Sequence, residues 1–290
     1  MKIKVTLKDR PHPFEVVDRW LRQFADDLQD RWEPLKHTLI EWVQQNSDYF
    51  YTAEGQQALL QLARDTLDQQ AWGVVDEHTQ NVFAYGATVA RQGESVFGAQ
   101  PSAESINEIL SQPGFVANQA MQFARSYTFN EVVTRDAETM GLFQTRMIQT
   151  LEAGEHPSEA AREFANDIDG DYAGWMRIAR TETARALNAG LFDESARLGV
   201  DVVFIPHSPT TCPDCARLID GRAFNRVDIE GASNYRRKKA DWVPALPMHP
   251  NCTHHPIPAS KWVQDAAREA AGGDIPPEGV EIDFIPPSQR

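Results

Sequence analysis

The placement of the cysteines constrains the fold of this chain more than any other feature. All three cysteines of the 290 residues lie between positions 212 and 252, two of them as a C-x2-C pair in TTCPDCARLIDGRAF. The third lies in MHPNCTHHP, where histidines flank it. Thirty-three residues (216 to 248) separate the two groups, so we expect two distant segments to meet at one point of the structure.

Zinc is the metal that these side chains favour, because thiolate and imidazole are its preferred ligands and a structural site takes four of them. By spacing, the predicted ligands are Cys212, Cys215, His249 and Cys252. His254 can substitute for either member of the second pair, so the fourth ligand stays open. Two further histidines are weaker candidates, His207 and His255. The sequence thus predicts a structural Zn²⁺ site.

The residues after the C-x2-C pair, ARLIDGRAF, are typical of a short β-hairpin with Asp220-Gly221 at its tip. A knuckle that leads into a hairpin favours a zinc module. It also argues against a redox pair, because the redox motif opens a helix after a strand. A second alternative is three unrelated buried cysteines. A catalytic zinc would need an open position and a nearby base, for which Asp214, Asp220 and Glu230 are available.

Most of the chain before residue 200 has the pattern of amphipathic helices. Between residues 14 and 92 apolar side chains recur at steps of three and four, and breaks are expected at Pro34, Gly55 and Gly73. Residues 115–152 and 175–198 are also predicted to be helical, the latter closed by Gly199. The first clear strand is DVVFIP, after which prolines become frequent.

These patterns predict a mainly α (α+β) fold, with a helical body, a small C-terminal zinc-stabilised β-hairpin module and an extended tail. The predicted segments are a helical N-terminal segment over 1–95, a helical core over 96–200, a zinc-knuckle β module over 201–262 and an extended tail over 263–290. The turn-rich stretch GESVFGAQPS marks the first boundary. Beyond Trp262 one short helical piece is predicted, and GGDIPPEG and IPPSQR then have a composition typical of an extended or mobile arm.

The net charge of −14 excludes a protein that coats nucleic acid through bulk electrostatics. One basic run stands out in the loop between the two ligand pairs: Arg236, Arg237, Lys238 and Lys239. This run is either a solvated loop or a local contact with nucleic acid or with an acidic partner. The sequence has no run of about 20 apolar residues, so we expect no membrane segment. Its first residues have no apolar stretch, so we expect no secretory signal. The few cysteines are typical of a reducing cytoplasm.

Taken in order, IARTETARALNAG, a strand, CPDCARLIDGRAF, a variable loop and LPMHPNCTH resemble the phage Mu F-like family of minor head proteins, also called phage head morphogenesis proteins. In that family an Arg-Thr-Glu helix precedes a C-x2-C, an Asp-Gly hairpin and a His-Pro-x-Cys-Arg-Cys ending. The resemblance covers residues 135 to 260 and marks Arg180, Thr181, Glu182, Cys212, Cys215, Asp220, Gly221, His249, Pro250 and Cys252. The final Cys-Arg-Cys reads Cys252-Thr253-His254 here, so His254 replaces the last cysteine if relatives use it as a ligand.

The resemblance implies a minor capsid protein of a tailed phage, with a structural and assembly role and no enzymatic one. The implied partners are the portal protein, the major capsid protein and packaged DNA. The implied location is the virion, in the capsid interior near the portal, after assembly in the host cytoplasm. The Arg-Thr-Glu motif is expected either to pair along its helix or to dock that helix on the zinc module.

The alternative is a phage-associated enzyme, either an ADP-ribosyltransferase-like toxin or a metal-dependent nuclease. No Glu-x-Glu pair occurs for the former. His255 is the last histidine, so the downstream half of an HNH-type motif is missing for the latter. A free-standing DNA-binding zinc protein is disfavoured by the acidic charge.

Overall fold

The computed structural model describes residues 15–46, 49, 52–93, 101–153, 166, 172–207, 211–230, 232–234, 237–250, 252 and 254–282. Helices make up most of these residues, and a small antiparallel sheet lies near the C-terminus. This confirms the predicted mainly α (α+β) fold class.

The helices of the body are α1 (Glu15–Asp30), α2 (Trp32–Gln45), α3 (Ala53–Gln92), α4 (Ala103–Leu110), α5 (Gln119–Ala153) and α6 (Tyr172–Arg197). The apolar stripe predicted for the first helix is confirmed, since Val17, Phe24 and Leu28 are buried. Two predicted breaks are wrong, because α3 runs through both Gly55 and Gly73. Pro34 lies in the first turn of α2, where proline is compatible with a helix.

The described residues divide into two compact units. One contains residues within 1–20, 79–124 and 180–290, and the other contains residues within 21–78 and 125–179. This division differs from the four consecutive segments predicted, because the long helices α3, α5 and α6 each contribute residues to both units. The second unit has its own core, built around fully buried Trp32 and Trp175.

The C-terminal part of the first unit is a four-stranded antiparallel sheet in the order β3-β1-β2-β4. Its elements in chain order are β1 (Val202–Ile205), α7 (Pro213–Leu218), β2 (Arg222–Asn225), α8 (Arg226–Ile229), β3 (Ile257–Pro258), α9 (Lys261–Ala271) and β4 (Val280–Glu281). Every residue of β1 is buried. Because successive side chains of a strand face opposite sides, Val202 and Phe204 pack with α9, whereas Val203 and Ile205 pack with the cysteine-bearing segments.

Beyond Trp262 the structure contains the predicted short helical piece, and the residues after it, predicted as an extended arm, return to the sheet as far as residue 282. Helix α9 begins at the N-cap Ser260, whose hydroxyl accepts the Val263 N–H, and ends at Gly272 with φ 70°. Val263 and Ala267 are buried against the sheet. Strand β4 then pairs with β2. The amphipathic stripe of this short helix supplies enough apolar surface to hold the segment, whereas residues 283–290 lie outside the described residues.

Candidate metal centre

The C-x2-C pair opens helix α7. Cys212 is the N-cap in extended conformation, and its Sγ accepts a hydrogen bond from the Cys215 N–H at 3.5 Å. Pro213 occupies the first turn. The predicted hairpin is therefore wrong, because ARL continues this helix and only Arg222–Asn225 forms a strand. That strand pairs with β1 instead of with the residues before the Asp-Gly turn.

This geometry also removes one argument against a redox pair, since the motif does open a helix after a strand. What distinguishes the site is the second segment, which brings a third sulfur and two imidazoles to the same place. None of the three cysteines, all of which are described, forms a disulfide. A simple dithiol pair does not account for the additional ligand atoms.

The second segment, from His249 to His254, lies between a loop and β3. The loop is fixed by buried Asn234, whose Nδ2 donates to the carbonyls of Val243 and Met248 at 2.9 and 3.2 Å. Its Oδ1 accepts the Val243 N–H at 3.0 Å. Sequence reasoning missed Asn234, and no local pattern marks it, because its partners lie up to 14 residues away along the chain.

Five side chains converge in two overlapping groups that share Cys215. The first contains Cys212, Cys215 and His249, and the second contains Cys215, Cys252 and His254; within each group the candidate ligand atoms lie within 4.8 Å of one another. Nε2 of His249 lies 3.1 Å from Sγ of Cys212 and 3.2 Å from Sγ of Cys215. Sγ of Cys252 lies 3.9 Å from Sγ of Cys215 and 3.8 Å from Nδ1 of His254. This cluster can bind a metal ion, and it contains all five of the predicted ligand residues.

Each imidazole is held on the side that faces away from the sulfurs. Nδ1 of His249 donates to the Pro250 carbonyl at 2.7 Å. Nε2 of His254 lies 2.9 Å from Oδ1 of Asp220, and Oδ2 of the same carboxylate lies 2.8 Å from Nδ1 of His207. Such outer contacts fix the ring orientation of metal-ligating histidines. His207, predicted as a weak ligand, therefore contacts the carboxylate behind the site, and Asp220 lies there rather than at a hairpin tip.

The sulfurs are arranged as a cation site would require. The hydrogen bond between Cys215 and Cys252, together with burial, raises the pKa of the Cys215 thiol. The same hydrogen bond lowers the pKa of Cys252. Metal ligation would require both sulfurs to be deprotonated, and a bound cation would stabilise the two thiolates together.

The Arg-Thr-Glu motif lies in helix α6. Glu182 is buried and accepts a bond from Nε of Arg185 at 3.0 Å, which confirms pairing along the helix. Another residue of this helix, Asn188, contacts the segment that carries the second group of candidate ligands: its Oδ1 lies 3.1 Å from Nδ1 of His255. This gives His255, a weak ligand candidate, a role in helix contact. Sequence reasoning did not single out Asn188, although it lies inside the stretch IARTETARALNAG.

The basic run is only partly described, since Arg236 lies outside the described residues. Arg237, Lys238 and Lys239 are exposed. Nζ of Lys239 lies 3.0 Å from Oδ2 of Asp214 in α7 and 5.6 Å from the ring of Trp242. That indole stacks on the His249 imidazole at 6.2 Å between ring centroids. The basic loop is therefore attached to the rim of the candidate metal centre.

A comparison of the chain with protein-family models, with curated protein sequences and with solved structures found no match. Within the described residues, every helix is too short or too polar to span a bilayer.

Proposed function

We propose that the cluster binds one Zn²⁺ ion as a structural centre. The observation that carries this proposal is the convergence of three sulfurs and two imidazole nitrogens from segments more than 30 residues apart. Zinc is the common biological metal that prefers this mixture of thiolate and imidazole. Cys215, Cys252 and His254 are buried, which favours a closed structural site over a catalytic zinc with an open position.

The three carboxylates that the sequence offers as a base are already in contact with basic side chains. Asp214 forms its ion pair with Lys239, and Glu230 pairs with Arg226 four residues before it. Asp220 contacts two histidines. These contacts favour a role in which the metal stabilises structure and the module binds partners.

The metal compensates for a small core. Two of the four strands have only two residues each, and the core on the cysteine side includes the sulfurs themselves. A bound ion then supplies folding free energy that so small a module cannot obtain from apolar burial.

Thermal unfolding of the full chain with and without a zinc chelator tests this role. We expect the chelator to lower the unfolding temperature of the wild type, because an ion bound only to the folded state stabilises it by mass action. Cys215→Ser should already be destabilised and should not respond to the chelator. An unchanged wild-type melt would contradict the proposal.

We further propose that the protein is a minor head protein of a tailed phage, with an assembly role at the portal and capsid interior. Support comes from the order of its motifs, which resembles the phage Mu F-like family, and from the Asn188–His255 contact, which links the Arg-Thr-Glu helix to the metal segment. The proposed partners are the portal and major capsid proteins. Fractionation of purified virions is the test: low-copy presence inside heads supports the role, and absence from virions contradicts it.

Packaged DNA is a proposed partner of the basic loop. Arg237 and Lys238 are exposed in the loop that Lys239 attaches to Asp214 of α7, and exposed basic side chains can contact phosphate. Binding of Arg237→Ala/Lys238→Ala to duplex DNA should be weaker than that of the wild type, and wild-type binding should fall steeply as salt rises. DNA affinity that does not change with salt concentration would contradict the proposed phosphate contact.

A further inference from the structure

We propose that His254 is a metal ligand, through Nδ1, in the buried group with Cys215 and Cys252, and that Asp220 is the positioning residue that holds it there. This inference rests on the proposed metal centre and specifies its coordination. His249 then covers the exposed side of the centre without completing it.

The distances distinguish the two histidines. Around a tetrahedral zinc, bond lengths place two sulfurs about 3.8 Å apart and a sulfur and a nitrogen about 3.5 Å apart. The buried group approaches these values, with 3.9 Å between the sulfurs of Cys215 and Cys252 and 3.8 Å from Cys252 to Nδ1 of His254. The 3.1 and 3.2 Å contacts of His249 are shorter than such an edge and fit hydrogen bonds to sulfur.

Asp220 sets the tautomer of His254. A carboxylate accepts hydrogen bonds only, so its contact at 2.9 Å places the ring proton of His254 on Nε2. The Thr211 hydroxyl, 3.3 Å from the same nitrogen, can accept that proton as well. Nδ1 is then left with a free lone pair directed at the buried sulfurs, which is the state that a metal ligand needs.

Asp220 is itself held from several sides. Its N–H donates to the Cys215 carbonyl at 2.9 Å, which ties it to the end of the cysteine helix. Its second carboxylate oxygen contacts His207. The next residue, Gly221, has φ +72°, and a Cβ there would lie 2.2 Å from the His207 ring. The Asp-Gly pair thus forms a turn in which glycine lets His207 close over the carboxylate.

Metal binding by the full-length chain tests the assignment, with Co²⁺ for optical spectra and Zn²⁺ for nitrogen NMR. We expect the zinc-induced ¹⁵N shift at Nδ1 of His254 and none at Nε2 of His249. His254→Ala should change the Co²⁺ spectrum more than His249→Ala does, whereas the matched control His37→Ala, at an exposed histidine of α2 outside the cluster, should leave it unchanged. The reverse pattern would overturn the assignment.

Asp220→Ala should weaken metal binding about 10- to 100-fold, the usual range for loss of an outer-shell partner. Asp220→Asn, which retains an acceptor oxygen, should lose less. A second background separates positioning from general structural support. Nδ1 is the ring nitrogen nearer the backbone, so a cysteine at position 254 can place its sulfur close to the same point, and a thiolate has no tautomer to fix.

In the His254→Cys background, Asp220→Ala should therefore cost little metal affinity. An equal loss in both backgrounds would show that Asp220 only supports the fold and would overturn the positioning role. A wild-type chain that binds neither Co²⁺ nor Zn²⁺ would contradict the proposed metal centre itself. That outcome is distinct from a bound metal with His249 as its ligand, which would overturn the assignment alone.

Discussion

Replacing Gly190 with alanine should destabilise the protein, because this glycine lies where helices α3 and α6 make backbone contact. A Cβ at Gly190 would lie 2.0 Å from the Phe83 carbonyl oxygen, and a Cβ at Gly86 would lie 2.2 Å from that of Leu187. Non-bonded heavy atoms prefer separations of about 3.5 Å, so the helices would have to move apart by more than about 1 Å.

The cost follows from what such a movement disrupts. The surrounding core includes the fully buried residues Val82, Phe83, Leu187 and Leu191. Overpacking costs about 1–3 kcal/mol and more when backbone must shift, whereas alanine gains about 1 kcal/mol of helix propensity over glycine. We therefore expect a net loss of about 2–3 kcal/mol in the free energy of unfolding.

Urea unfolding of Gly190→Ala and Gly86→Ala measures this loss. The matched control is Gly73→Ala, in the same helix as Gly86, where a Cβ would meet nothing within 4 Å. That variant should gain about 0.5–1 kcal/mol. The double variant at positions 86 and 190 should lose less than the sum of the single losses, since one displacement relieves both contacts. A Gly190→Ala protein as stable as the Gly73→Ala control would refute the close helix contact.

Three further predictions concern stability. Burial lowers the pKa of His78 from 6.5 to about 3, so the unfolded chain binds more protons than the folded one between these values, and stability should fall as pH drops below about 6.5. Because the ring is partly accessible, the free energy of unfolding should fall by less than about 1.4 kcal/mol per pH unit. In urea melts at pH 5 and 7.5, His78→Gln should show a smaller difference between the two pH values than the wild type. Asp136→Asn should lower the free energy of unfolding by about 3 kcal/mol, because the buried guanidinium of Arg31 loses its carboxylate partner at 3.0 Å. The double variant Arg31→Met/Asp136→Leu should recover most of this loss, and equal melts for the two variants would contradict this reasoning. Gly279 has φ +72° and faces the Phe224 ring, so Gly279→Ala should cost about 2 kcal/mol and speed amide exchange in β4, whereas unchanged exchange would count against the folded tail.

The sequence was most informative where periodicity or residue chemistry acts locally. The stripe through Val17, Phe24 and Leu28 predicts a buried helix face, which the structure confirms. The residues of the candidate metal-binding cluster were predictable because cysteine is scarce in this chain and its spacing to the histidines restricts them to one region. The contact from Asn188 to His255 was not predictable, because it joins residues 67 positions apart.

The hairpin was mispredicted for a local reason. The Asp220-Gly221 pair predicts a hairpin tip, yet the residues before it carry a stronger helix signal: Cys212 as N-cap, Pro213 in the first turn and acidic Asp214 beside it. Positive φ at Gly221 serves the exit from that helix into β2. The outer-shell position of Asp220 depends on this turn, so it became visible only in the structure.

Strand β4 lies beyond sequence-based prediction for a different reason. It has only two residues, and its pairing with Arg222 and Ala223 depends on where α9 brings the chain back to the sheet. Glycine and proline around it predicted an extended arm. The short helical piece predicted beyond Trp262 corresponds to α9, and its apolar stripe, with Val263 and Ala267, is what holds this segment against the sheet.

The metal content of the full-length chain tests the central claim most directly. Protein purified without chelators, and protein refolded with excess Zn²⁺ and then desalted, should each contain about one zinc per chain by elemental analysis. Cys252→Ser should contain markedly less, with thiol counting confirming reduced cysteines in both. A refolded wild-type chain with reduced cysteines and no bound zinc would contradict the structural metal centre.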